Sequence, residues 1–123
     1  MNNKELILGN HLILDLFECD YSKINDTDVV MDILHKTILH IGANLISEGF
    51  KKFSPIGISA FAIISESHIS VHTWPEYKFA AVDIFSCNKN LTEEVCKYIK
   101  EEFKAQFVRT NMLERGRFEL EYK

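Results

Sequence analysis

Between residues 58 and 85 the apolar side chains come in short runs or at every second position, and one break, Pro75-Glu76-Tyr77-Lys78, divides them. Period-two patterning on both sides of a proline-led break predicts a β-hairpin. A hairpin of this kind must bury one face of a sheet, so the segment constrains the fold more than any other. It also breaks its own packing logic. The run Ser65-Glu66-Ser67-His68-Ile69-Ser70-Val71-His72-Thr73-Trp74-Pro75-Glu76-Tyr77 sets hydroxyls, imidazoles and carboxylates among β-patterned flanks. Polar groups cost free energy when buried without partners, which makes a strand that keeps them the first place to look for function.

The rest of the chain supplies the other layer. Residues 6–18 read as a largely buried strand, and Asn25-Asp26-Thr27-Asp28 is a cluster of N-cap residues. Val29, Ile33, Leu34, Ile38, Ile41 and Leu45 then recur at helical spacing, predicting an amphipathic helix over about 27–47 with Gly49 as its terminator. Strands are expected at 58–64 (led into by 53–56), 68–74 and 79–85. Thr92 caps a second helix running to about 107, with Val95, Ile99 and Phe103 on one face, and a last strand covers about 107–121. Strands grouped between two helices predict an α+β two-layer sandwich, the two helices on one face of a mostly antiparallel sheet. At 123 residues, 46% hydrophobic, the chain makes one domain that gains further burial by dimerising. A net charge of −4 without a basic stripe argues against a nucleic-acid partner. Neither a signal-peptide core nor a membrane-length apolar stretch is visible. Cys19, Cys87 and Cys96 are an odd number at no metal or disulfide spacing, so reduced thiols in a cytoplasm are expected.

The hairpin has geometric consequences. A turn centred near Tyr77 pairs residues whose numbers sum to about 153 or 154, which puts Ser67 opposite Ser86 or Cys87 and brings the Cys87 thiol close to Ser67. His72 lies five positions from Ser67, and an odd offset along a strand points to the opposite face. Either the strand is irregular, or Ser67 and His72 serve one composite site from different copies of the chain.

The polar run resembles the processing motif of the small pyruvoyl-dependent S-adenosylmethionine decarboxylases of bacteria and archaea. The likeness continues through Ala80-Ala81-Val82-Asp83-Ile84-Phe85-Ser86-Cys87, His11-Leu12 to Phe17-Glu18-Cys19-Asp20, Phe53-Ser54-Pro55-Ile56-Gly57-Ile58-Ser59 and Glu114-Arg115-Gly116-Arg117. A match this long is far more specific than a short fingerprint. The resemblance implies a proenzyme that cleaves itself between Glu66 and Ser67 into chains 1–66 and 67–123. The Ser67 hydroxyl attacks the Glu66 carbonyl, and the ester eliminates to a dehydroalanine that hydrolyses to a pyruvoyl group. That ketone is the cofactor, an electron sink that forms a Schiff base with the substrate amine. By the same resemblance His72 accepts a proton in processing, Ser59 supports processing, and Cys87 donates the proton to Cα after carbon dioxide leaves. Glu76 matches an acid that holds ribose and Phe53 an aromatic that stacks on adenine. The product is decarboxylated S-adenosylmethionine, the aminopropyl donor for spermidine, and the working form is a homodimer of cleaved protomers.

Departures from the family pattern are Asn88 for a common Gly, Lys78-Phe79 for a Gly-aromatic pair, Ser86 for Thr, and Ile56 where Tyr is frequent. Two other readings stay open: a pyruvoyl decarboxylase of the same fold acting on ornithine or arginine, and a non-catalytic dimer partner. Intact Ser67, His72, Ser59 and Cys87 weigh against the last. No metal is expected. The His68 and His72 pair sits on β-patterned sequence, where i,i+4 spans roughly 13 Å, too far for one ion. His68 is read as structural, Cys19 and Cys96 as packed thiols, and His35 and His40 as lying on or beside the helix surface. Glu18 receives no role.

Overall fold

The computed structural model describes residues 2–65, 67–87 and 91–122, with side chains for 4–65, 67–87 and 91–119. In chain order the elements are β1 (Asn2–Phe17), α1 (Tyr21–Ile24), α2 (Thr27–His40), β2 (Leu45–Lys52), β3 (Ile58–Ile64), β4 (Ser67–Trp74), β5 (Phe79–Ser86), α3 (Glu93–Glu102) and β6 (Phe107–Tyr122). The six strands form one sheet in the order β2-β3-β4-β5-β1-β6. Every neighbouring pair is antiparallel. The expected hairpin is β4–β5, closed by a 3₁₀ turn at Pro75–Tyr77, with Lys78 at φ +53°.

Strand alternation sends Leu12, Leu14, Ile58, Ala60, Ile69, Val71, Val82 and Ile84 to one face, all buried. There they meet Ile33 and Leu34 of α2 and Ile99 and Phe103 of the α3 end, leaving a void of only about 10 Å³. Each fully buried Leu or Ile contributes roughly 1.5–3 kcal/mol, so this layer carries the fold. α2 starts where the N-cap cluster predicts. The Asp26 carboxylate accepts from the N–H groups of Asp28 and Val29 at 2.9 and 3.2 Å, worth about 1 kcal/mol.

The sandwich and its antiparallel sheet are as the sequence predicts, with differences at the element ends. The first helix stops at His40, not near 47, because Gly42 takes φ +73° and closes a Schellman turn. In that turn the Ala43 N–H bonds Ile38 O at 3.0 Å and the Gly42 N–H bonds Leu39 O at 3.1 Å. Gly49, the expected terminator, instead lies inside β2. That strand is the sheet edge and is exposed at every residue but Gly49, so it carries no alternating signal. The four-residue α1 is too short to leave a periodic pattern. The second helix begins after Thr92 as expected but ends at Glu102.

Candidate active site

β4 is the spine of the site. Ile69, Val71 and Thr73 point into the helix layer, while His68, Ser70, His72 and Trp74 alternate onto the outer face of the sheet, which no helix covers. At one end the register pairs His72 with Ser59 of β3, and Ser59 Oγ lies 2.8 Å from His72 Nδ1. That contact leaves Nε2 as the ring nitrogen open to proton transfer. Around the pair runs a groove of about 310 Å³ lined by Phe53, Ile56, Ser59, His72, Trp74 and Glu76, among others. A larger hollow of about 500 Å³ among Lys97, Lys100, Glu101 and Lys104 shares no residue with it.

The groove wall is fixed by backbone. Gly57 adopts φ +108°, a conformation costly for any side chain, and its carbonyl accepts from the Phe53 N–H at 2.8 Å. Asn25, between α1 and α2, takes the Gly57 N–H on its Oδ1 at 3.2 Å and Lys52 Nζ at 2.6 Å. This latch holds Phe53 at the groove.

The other end of β4 carries Ser67. The register places Ser86 opposite Ser67, which resolves the two alternatives read from the sequence. Both side chains follow the buried alternation, and Ser86 is 1% exposed. Ser67 Oγ is buried and, among the described residues, has no hydrogen-bond partner. An orphaned buried hydroxyl costs about 1–3 kcal/mol. Cys87, the next residue along, is exposed. The expected nearness of thiol and serine is therefore one of backbone position, with the thiol exposed and the hydroxyl buried. Ser67 and His72 are on opposite faces of one regular strand, without a bulge between them. Glu66 and Asn88 lie outside the described residues.

Between the two ends sits a polar network. Asp83 Oδ2 accepts from His11 Nε2 at 2.6 Å and lies 3.3 Å from His68 Nε2, while Ser70 Oγ donates to Oδ1. Arg115 Nη1 donates to His11 Nδ1 at 2.9 Å. Burial works to raise the Asp83 carboxyl, but the bonds from Ser70, His11 and His68 outweigh it and hold the group below the usual carboxylate range. The His11, His68 and Asp83 ligand atoms lie within 4.8 Å of one another, a grouping the sequence reading did not foresee. A guanidinium only donates, so His11 Nδ1 must accept and its proton sits on Nε2, facing Asp83. That tautomer makes the trio a hydrogen-bond network rather than a set of free metal ligands.

The remaining residues fall near their expected places. Cys19 is buried and burial pushes its thiol up to about 11, so it is unreactive at neutral pH. Cys96 is half-buried, its thiol also raised by burial. His35 bonds Glu48 of β2 and His40 stacks on Tyr98 at 4.6 Å. Glu18 stands at φ +54°, a turn role. The sequence reading gave no site role to Trp74, His11 or Asp83, and read Asn25 only as part of an N-cap cluster. Trp74 was legible as a large aromatic on the same face as His72.

Residues 10–116 match the family profile described as S-adenosylmethionine decarboxylase. The S-adenosylmethionine decarboxylase proenzyme of Moorella thermoacetica is 41% identical over 110 residues, covering 89% of this chain and 88% of that protein. The proenzyme of the same name from Caldicellulosiruptor saccharolyticus is 41% identical over 113 residues, 91% of each. The crystal structure of the adenosylmethionine decarboxylase from Aquifex aeolicus superposes with a TM-score of 0.86 at 28% identity, covering 95% of this chain and 98% of that one.

Proposed function

The chain belongs to the S-adenosylmethionine decarboxylase family of carboxy-lyases, and on that premise we propose that it cleaves itself between Glu66 and Ser67 and then decarboxylates S-adenosylmethionine. The product is the aminopropyl donor for spermidine, made in the cytoplasm. Among the described residues no helix is long and apolar enough to cross a membrane. The observation that carries the proposal is Ser67 Oγ, buried and without a partner at the junction the motif marks. A hydroxyl left unpaired at this cost fits a side chain destined for conversion, as a pyruvoyl group at residue 67 requires. Once formed, the pyruvoyl group would supply an electron sink for the electron pair left on Cα when carbon dioxide departs.

The chain's own residues do the rest. His72, oriented by Ser59, takes the proton that elimination releases. Glu76 accepts hydroxyl donors of a ribose, and Phe53 and Trp74 offer aromatic faces to an adenine and a sulfonium cation. Cys87 Sγ gives its proton to substrate Cα.

Because Ser67 and His72 face opposite ways, we assign them to one site built across a two-fold axis: Ser67 and Cys87 from one protomer, Ser59 and His72 from its partner. On the outer face beside His72, Phe61, Ile63, Trp74 and Leu113 expose apolar surface that a second copy would cover.

The experiment is self-cleavage joined to a substrate panel. Wild type is expected to run as chains of 66 and 57 residues (1–66 and 67–123), and Ser67→Ala as one uncleaved band. Carbon dioxide release is then measured with S-adenosylmethionine, ornithine and arginine in parallel. An intact wild-type mass after long incubation overturns the mechanism, and release only from a basic amino acid overturns the substrate.

A further inference from the structure

The His11–Asp83–His68 network lies on the outer face between the groove and Cys87, yet nothing in the processing or decarboxylation steps above uses it. It is built for orientation. Arg115 on β6 fixes His11 on β1, His11 and Ser70 fix Asp83 on β5, and Asp83 takes the Nε2 side of His68 on β4. The His68 ring is held further by stacking on Phe85 at 6.0 Å and an edge contact with His11 at 5.9 Å. With Nε2 committed to the carboxylate, Nδ1 remains open.

The register says what lies beside it. His68 pairs with Phe85, β5 ends at Ser86, and the exposed Cys87 follows directly; continuing the alternation by one residue puts it on the His68 face as a diagonal neighbour. Diagonal Cβ atoms on an antiparallel pair lie within roughly 7–8 Å, which an imidazole and a thiol span directly or through one water. Among the described residues, the titratable or charged groups facing His68 are Asp83 from β5, Cys87 just beyond it, His11 from β1 and, through His11, Arg115 from β6; β3 presents Ile63.

We propose that His68 is a positioning residue that holds a proton beside the Cys87 thiol. The inference rests on the decarboxylase reading of this site. After Cys87 Sγ–H has protonated substrate Cα, the thiolate takes the Nδ1 proton of the His68 imidazolium. One S–H bond is lost and remade, one N–H bond is lost, and solvent restores it. The Nε2–H stays on Asp83 throughout.

The test reads Cys87 directly. Alkylation of the cleaved enzyme by iodoacetamide is followed by mass spectrometry of the Cys87 peptide from pH 6 to 9.5, with the Cys19 and Cys96 peptides as internal references. His68→Gln is expected to slow Cys87 alkylation about 3–10-fold near pH 6–7, with the rates converging at the alkaline end of the range. Asp83→Asn moves the profile the same way by less. Both variants still self-cleave, and His68→Gln lowers kcat more than it raises KM. His68 is half-exposed and its replacement leaves the core intact, so a folding failure of Asp83→Asn still leaves the first variant decisive. Superimposable alkylation profiles in wild type and His68→Gln overturn the proposal. A shifted profile in a protein that decarboxylates no substrate upholds the His68–Cys87 pairing and overturns the function reading instead.

Discussion

The two ends of strand β4 are built to different standards. At the Ser59–His72 end, a hydrogen-bonded pair, a backbone-fixed groove and an aromatic row (Trp74 to Phe79 at 5.5 Å, Phe79 to Phe17 at 5.2 Å) are in place within one chain. At the Ser67 end stand a buried hydroxyl without a partner among the described residues and an exposed thiol. Five residues of strand separate the ends, about 16 Å, and the side chains face opposite ways. On the proposed reading, a chain that holds one half of a site ready and leaves the reacting half bare would be completed by another copy. The difference between the ends thus argues for assembly.

Cys87→Ala breaks the bare end while sparing the finished one. It is expected to self-cleave, because the proposed cleavage draws on Ser67, Ser59 and His72, yet to lose about 10²–10⁴-fold in turnover, the usual cost of removing a positioned acid. A denaturing gel and a carbon dioxide assay on the same preparation separate the two effects. Near-normal turnover by a fully cleaved Cys87→Ala protein means that the acid lies elsewhere.

Complementation sharpens the comparison further. Cys87→Ala damages the bare end and Glu76→Ala the finished end, so a heterodimer of the two regains one site with both ends intact. With free exchange and equal mixing, about a quarter of wild-type activity should return, since half the dimers are mixed and each has one good site. Demonstrated subunit exchange with no recovery of activity rules out the shared site.

How far the sequence foretold this contrast depends on the range of the contacts. The hairpin turn and period-two pattern were enough to narrow the partner of Ser67 to Ser86 or Cys87, of which the structure selects Ser86, and to send His72 to the other face, because both follow from local register. Phe53 and Glu76 were legible only through the family likeness, and the shared groove gives them a common place. The Asp83 network was not legible. It depends on β1 pairing with β5, which joins residues 72 apart in sequence, and no local periodicity encodes such a pairing. β2 was missed for the opposite reason: as an exposed edge it buries nothing and so leaves no pattern.

Asp83 lies between the ends and ties four strands together, which gives the network a pH signature. Its carboxyl sits below the usual 3.8 when folded: burial opposes this, and the hydrogen bonds from Ser70, His11 and His68 overcome it. A folded value below the unfolded one means that the anion stabilises the fold. That contribution is complete at neutral pH, above the unfolded value, and is lost as pH falls through the folded value. Asp83→Asn should therefore cost about 1–2 kcal/mol at pH 7, discounted for partial exposure, and clearly less at pH 3. Urea unfolding at both pH values checks it. A cost independent of pH means that the carboxylate charge contributes nothing.

The smallest effect concerns the turn at the finished end. Lys78 follows the 3₁₀ turn at φ +53°, where a side chain crowds its own backbone. Its N–H donates to Pro75 O at 3.0 Å and its carbonyl accepts from the Cys19 N–H at 2.9 Å, so the left-handed conformation is locked from both sides. Glycine adopts it without a Cβ penalty, although it gains freedom when unfolded. Lys78→Gly should then stabilise by about 0.5–1 kcal/mol, raising Tm by a few degrees. Lys78→Val, β-branched at the same φ, should destabilise by about 1–2 kcal/mol. Neither change touches Ser67 or His72, so cleavage should proceed at the wild-type rate in both. A cleavage rate that tracked the stability of these variants would mean that the finished end holds its geometry only marginally, and the contrast between the two ends of β4 would lose its basis.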